Sequence, residues 1–178
     1  VEFIVEDGTG LENSNSYLSI DRFKDISDLL GYDYTSLTDL QIERFLMRSA
    51  IILDSNFRSR LPGSRANTGQ ALEWPREYAY YVDQERIMND IVPKEVEMAS
   101  VEMLYLLNSG VNPQANIDPV GVLKEERVKV DVIEEQKKYA TATGGPKRQV
   151  LVSVEDAMSR ITGGVGSLYR LNIIRVGG

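Results

Sequence analysis

The sequence predicts a mainly α fold: a small helical bundle with an extended β arm or hairpin and a flexible C-terminal tail. Three observations predict it. Apolar residues recur at helical spacing in three stretches between residues 20 and 108. The spacing then switches to period two, with Val120 and Val122 followed by Val128, Val130 and Val132 between Lys and Glu. Beyond that lie a Lys/Thr/Ala/Gly stretch, a short helical pattern and an apolar end. The expected organisation is a helical body over 1–119, an arm or hairpin over 120–135, and a loop, short helix and docking tail over 136–178.

Val1, Phe3 and Val5 alternate weakly and suit a short edge strand, and Glu6 to Gly10 reads as a turn. Ser19 is placed to cap a first helix with Ile20, Phe23, Ile26, Leu29 and Leu30 on one side, and Gly31 is placed to end it. Ser36 or Thr38 can cap the second helix, whose stripe is Ile42, Phe45, Leu46, Ser49, Ala50, Leu53 and Phe57. Pro93 opens the third, with Glu95 and Glu97 near its positive end and Gly110 after it. The 120–135 segment is either a single arm or a hairpin around Glu125-Glu126. A strand of this kind buries nothing alone and seeks a pairing partner. Residues 136–149 read as a flexible surface loop. Ser153 is a candidate cap for a short helix ending before Gly163.

Composition narrows the chemistry. The 178 residues contain no Cys and no His, which removes disulfides, thiolate nucleophiles, the usual zinc sites and imidazole catalysis. No phosphate-loop, dinucleotide or nucleophile-elbow motif occurs. A carboxylate-only hydrolase has no acid pair singled out by spacing. The expectation is a protein that is not an enzyme and takes no cofactor or metal. No run of eighteen apolar residues exists, so no membrane partner is expected. Net charge is −7 and uneven: residues 1–120 hold 10 Lys/Arg against 20 Asp/Glu, whereas residues 121–178 hold 10 against 7. An acidic body is a poor footprint for gripping phosphates and suits a surface past which DNA slides.

The one tryptophan lies in Gly69-Gln70-Ala71-Leu72-Glu73-Trp74-Pro75-Arg76. Proline pushes Trp74 toward an extended backbone. Trp74 reads as a plug between helices that wants a partner for its N–H, or as a platform for a nucleobase. Arg76 can stack on an aromatic ring or pair with an acid. Arg58, Arg60 and Arg65, in a Pro/Gly loop, read either as a solvated turn or as a contact to nucleic acid or an acidic partner. Tyr78, Tyr80 and Tyr81, with Arg76 and Arg86, suit stacked bases, but the acids around them favour rim packing or a subunit interface. Val128, Val130 and Val132 of the arm, and Tyr169, Leu171, Ile173 and Ile174 of the tail, are candidate docking residues.

Two stretches carry a family resemblance. Val5 to Leu11 with Asn15 to Ser19, and the Gly69–Arg76 octapeptide, resemble the opening and signature motifs of the tailed-bacteriophage head–tail adaptor (connector, head-completion) family, which also bears the label DnaT-like single-stranded-DNA-binding. Val92 to Val96 resembles that family's helix start. The resemblance spans roughly residues 5–135. It implies a structural neck protein in a ring of about twelve copies below the portal. The implied partners are further copies of the chain, the portal protein, tail or nozzle proteins and double-stranded DNA in transit. The implied location is the virion neck, with the host cytoplasm during assembly. It brings no active-site residue. The alternative is a single-stranded-DNA-binding protein, with Trp74, Tyr78, Tyr80 and Tyr81 and the arginines at 58, 60, 65 and 76 as its groove.

Overall fold

The computed structural model describes residues 1–114, 116–117, 123–125, 138–139, 147–148 and 151–163. The fold is mainly α, as expected. It divides into two compact units, 1–112 with 151–178, and 113–150.

The first unit is built on four helices. Helix α1 (Ile20–Leu30) starts at Ser19, whose side chain accepts from the Arg22 N–H, and ends at left-handed Gly31. Helix α2 (Asp39–Phe57) starts with a reciprocal box between Thr38 and Gln41. Thr38→Ala removes one half of that box, and the expected outcome is a loss of about 1 kcal/mol in urea unfolding. Helix α3 (Lys94–Asn108) follows Pro93. Helix α4 (Val152–Thr162) starts after Leu151, so Ser153 lies inside it and does not cap it.

The α2 stripe is buried as expected, apart from half-buried Phe45, and gains Ile52 and Asp54. Its lower half packs with Trp74, Val96, Ala99 and Met103 and with Leu151, Val154, Met158 and Ile161 around α4. Its upper half packs with Phe23 and Ile26 of α1 and Val101 and Leu104 of α3. The 136–178 expectation grouped the short helix with a docking tail, but α4 contributes to the central core. Its apolar residues recur at i, i+4 and i+7, a spacing that buries one helical face.

Between α2 and α3 the chain forms irregular structure and one two-stranded ladder. Strands β1 (Ser64–Arg65) and β2 (Arg76–Glu77) pair antiparallel. The N-terminal edge strand reduces to one parallel bridge, Val5 to Ser16. Nothing longer forms because the Asn15 side chain accepts from the Ile4 N–H at 2.9 Å, taking the donor that a ladder would use.

In the second unit, β3 (Asn116–Ile117) pairs antiparallel with β6 (Lys147–Arg148), and β4 (Leu123–Glu125) with β5 (Lys138–Tyr139). The β4 partner therefore lies in the stretch read as a loop, and a turn at Glu125-Glu126 does not form the pair. Val128, Val130 and Val132 of the expected arm, and Tyr169, Leu171, Ile173 and Ile174 of the tail, lie outside the described residues.

Candidate nucleic-acid interface

The two sequence motifs interlock. Glu6 is buried, and its carboxylate accepts from the N–H groups of Gly8 (3.1 Å), Gly10 (2.8 Å) and Leu11 (3.0 Å) and from the Ser14 hydroxyl (2.8 Å). A buried carboxylate is tolerated when donors surround it in this way. Gly8 has φ +97°, and a Cβ there would meet the Asp90 carbonyl oxygen at 2.1 Å, so only glycine fits. This loop is tied to the signature octapeptide through Asn67, whose amide donates to the Thr9 carbonyl at 2.6 Å, and through the Ala71 N–H, which donates to the Leu11 carbonyl at 2.9 Å. Gly69 is exposed beside Glu12.

Within the octapeptide the side chains hold the loop itself. Buried Gln70 donates to the carbonyls of Leu72 (2.8 Å) and Pro75 (3.0 Å) and accepts from the Asn67 N–H (2.8 Å). Leu72 and Pro75 are buried, and Trp74 is only 1% exposed. The nucleobase-platform reading of Trp74 is therefore corrected: no base can reach an indole enclosed on all sides. Its Nε1 has no hydrogen-bond partner among the described residues, contrary to the expectation that a buried indole finds one. Arg76 takes the acid-pairing alternative. Its guanidinium donates to Glu73 (2.8 Å) and to the carbonyls of Pro62 (2.7 Å) and Gly63 (2.9 Å), which leaves no face for a ligand.

Beneath the loop lies a buried polar cluster that composition and periodicity did not reveal. The Tyr17 hydroxyl donates to Asp54 Oδ1, and the Glu73 N–H donates to Asp54 Oδ2 at 3.0 Å. Burial pushes the Asp54 carboxyl up to about 6, against the lowering effect of these two donors. Burial and the neighbouring Asp54 raise the Tyr17 hydroxyl well above its ordinary value.

The basic loop is largely spoken for. Arg58 pairs with Glu73 at 2.8 Å, and Arg60 makes a bidentate pair with Glu155 of α4 (2.8 and 2.7 Å) while lying 4.5 Å over the Phe57 ring. Arg65 donates to the Gln70 carbonyl at 2.9 Å and remains exposed. These three arginines therefore do not converge on one ligand-facing surface. Arg58 and Arg60 use their charge on internal acids.

What the chain does present is a short ribbon after β2. Tyr80 faces Arg86 across an antiparallel bridge. Flanking bonds run from the Tyr81 N–H to the Glu85 carbonyl and from the Ile87 N–H to the Ala79 carbonyl, both 2.9 Å. This pattern makes Tyr80 and Arg86 a non-hydrogen-bonded pair, the type in which opposed side chains lie closest. Ala79 and Ile87 are buried, so the ribbon's other face is turned to solvent. That face carries Tyr80 (46% exposed) and Arg86, and Tyr78 (70% exposed) and Met88, two residues from them in the chain, are exposed as well. Arg86 has no hydrogen bond or ion pair among the described residues. Tyr78 adopts φ +55°, a left-handed conformation that costs a non-glycine residue roughly 1–2 kcal/mol. It is held there where Gly63 abuts the 77–79 backbone so closely that a Cβ would meet the Glu77 carbonyl oxygen at 2.1 Å.

Tyr81 belongs to the interior side. Its hydroxyl donates to Glu95 at 3.2 Å, the Arg160 guanidinium lies 4.0 Å over its ring, and burial with the Glu95 charge pushes it up to about 12. Of the aromatic–basic groove expected for a single-stranded-DNA binder, the structure thus keeps Tyr78, Tyr80 and Arg65 exposed, pairs Arg58 and Arg60 with Glu73 and Glu155, and withdraws Trp74, Tyr81 and Arg76; Arg86 was not part of that groove. Met88 was not anticipated. Among the described residues no cluster of acidic side chains is arranged to hold a metal ion, and no helix is long and apolar enough to cross a membrane.

The described residues thus form a small mainly α body with a tyrosine and an arginine exposed side by side on a short ribbon. The family model described as "Putative DnaT-like ssDNA binding protein" matches residues 1–176, and the chain belongs to this family. No curated protein and no solved structure matches it. The head–tail adaptor reading, with its connector and twelve-copy ring, is overturned by this match. Of the motifs that carried it, residues 5–19 and 69–76 are bonded to each other, and Val92 to Val96 leads into α3.

Proposed function

We propose that the chain binds single-stranded DNA, without a catalytic step, on the ribbon face formed by Tyr78, Tyr80, Arg86 and Met88. The observation that carries this is the Tyr80–Arg86 pair: an exposed phenol ring beside a guanidinium that has no ion pair among the described residues. Aromatic rings stack on any base, whereas a free guanidinium takes a phosphate oxygen. The left-handed backbone at Tyr78 is of a kind that persists at ligand-contacting sites, where surrounding structure holds it. The family match supports the same ligand class. The net acidity of residues 1–120 sets the scale: long-range attraction is absent, so stacking dominates and affinity is moderate.

The test is fluorescence anisotropy with labelled oligo(dT) of about twenty nucleotides, long enough for several single-stranded site sizes. Tyr80→Ala is expected to weaken binding about tenfold, since one stacked base contributes roughly 1–3 kcal/mol. Arg86→Gln is expected to flatten the plot of log affinity against log salt by about 0.7, the value of one phosphate contact on a single strand. A wild-type chain that binds no oligo(dT), or both variants binding like wild type, would end this reading.

A further inference from the structure

Arg86 has no ion pair among the described residues, although two acids, Asp83 and Glu85, precede it closely in the chain. Both acids are engaged by α4. The Arg160 guanidinium donates to Asp83 (3.2 Å), Glu85 (2.5 Å) and Glu95 (3.2 Å) and stacks over Tyr81, and its backbone carbonyl accepts from the Val82 N–H at 2.9 Å. One residue of a core-packed helix therefore grips four consecutive or near-consecutive positions at the ribbon tip. Met158 and Ile161, which flank Arg160 in sequence, are buried, so its backbone is fixed by packing. Arg60–Glu155, one further turn back on α4, adds a second pair of links to the chain before β1.

We infer that Arg160 is the positioning residue of the DNA-binding ribbon: it holds the tip against α4 and occupies Asp83 and Glu85, which leaves the Arg86 guanidinium free for a phosphate. This inference rests on the ribbon reading above. It goes beyond it in making a helix some eighty residues downstream a working part of the interface. Without Arg160, the carboxylates of Asp83 and Glu85, three residues and one residue before Arg86 in the chain, lose their cation. Their unneutralised charge at the ribbon tip would then draw on the Arg86 guanidinium and repel a phosphate strand.

The experiment uses the full-length chain with Arg160→Gln, Arg160→Lys, Arg86→Gln and the double variants, read by hydrogen exchange and by oligo(dT) anisotropy. In Arg160→Gln the Tyr81 and Ile87 amides are expected to exchange at least tenfold faster, as a local opening would produce. The amides of the α2 and α3 interiors are expected to keep their protection. Oligo(dT) affinity is expected to fall about tenfold, with the salt slope reduced as in Arg86→Gln. Adding Arg86→Gln to Arg160→Gln should then cost little more, because the guanidinium has already been lost to the acids. Arg160→Lys restores the charge and recovers part of both effects, whereas Arg22→Gln, which breaks an exposed pair with Glu97, changes neither. Unchanged exchange at Tyr81 and Ile87 in Arg160→Gln overturns the tether. Strictly additive loss with Arg86→Gln overturns the claim that Arg160 keeps Arg86 free. A wild-type chain that binds no oligonucleotide, with exchange still accelerated in Arg160→Gln, supports the tether and overturns only the DNA reading.

Discussion

Trp74→Ala is expected to lower stability by roughly 3–5 kcal/mol, the usual cost of emptying a site filled by a large aromatic side chain. Trp74 is almost wholly enclosed and packs in the cluster shared by α2, α3 and α4. Few other side chains could fill the vacated volume, because Leu72 and Leu53 are already committed to the same core. For a domain whose total stability is on the order of 5–15 kcal/mol, the loss shifts the melting temperature by roughly 10 °C or more. Trp74→Phe should cost much less. The indole N–H has no hydrogen-bond partner among the described residues, so replacing it with a hydrocarbon ring forfeits no bond.

The same residue separates the two readings of the motif. A nucleobase platform would show strong quenching of tryptophan emission on adding oligo(dT), and Trp74 is the sole tryptophan. Its burial predicts emission that is insensitive to the oligonucleotide and changes sharply on unfolding. Quenching without unfolding, together with a Trp74→Ala variant that melts normally but no longer binds, would falsify the structural assignment.

Legibility in the sequence followed the range of the interactions. Helices α1, α2 and α3 could be read because their stripe spacings and caps are set within a few residues, as with Thr38 and Gln41 or Ser19 and Arg22. The plug role of Trp74 could be read because Trp-Pro constrains its own neighbourhood. The internal use of the arginines could not. Arg60 meets Glu155 across ninety-five positions, and Arg160 meets Asp83 across seventy-seven. No local pattern encodes such a partner. The ribbon was half visible. Its tyrosines stand out in the sequence, but a two-residue alternation around Ala79 and Ile87 is too short to announce a strand pair. Glu6 and Asp54 escaped for a related reason. One sits in a glycine turn and the other interrupts an apolar stripe, and both are satisfied by donors that only the folded chain assembles.

That buried acid leads to a second large effect, which appears in the pH dependence. Asp54 has its carboxyl raised to about 6 in the folded chain, from an ordinary value of 3.8. Between these two values the folded state keeps a proton that the unfolded state has released. Stability therefore falls as pH rises through this window and levels off above it. A shift of this size corresponds to about 3 kcal/mol at most. In Asp54→Asn the carboxyl is gone, so the difference between wild type and variant should change by up to that amount between about pH 4 and pH 7. The variant also has a constant penalty, because the Tyr17 hydroxyl and the Glu73 N–H meet separate carboxyl oxygens and asparagine replaces one of these with an NH2 that cannot accept. The shape of the pH curve, not its offset, is thus the diagnostic quantity. Groups that do not couple to Asp54 cancel in the difference, which leaves Tyr17, Glu73 and Arg58 as the neighbours able to distort it. Urea midpoints measured across the range give the curve directly. Parallel curves for the two proteins would mean that Asp54 ionises in the fold as it does in water, and that the Tyr17 and Glu73 donors fully offset its burial.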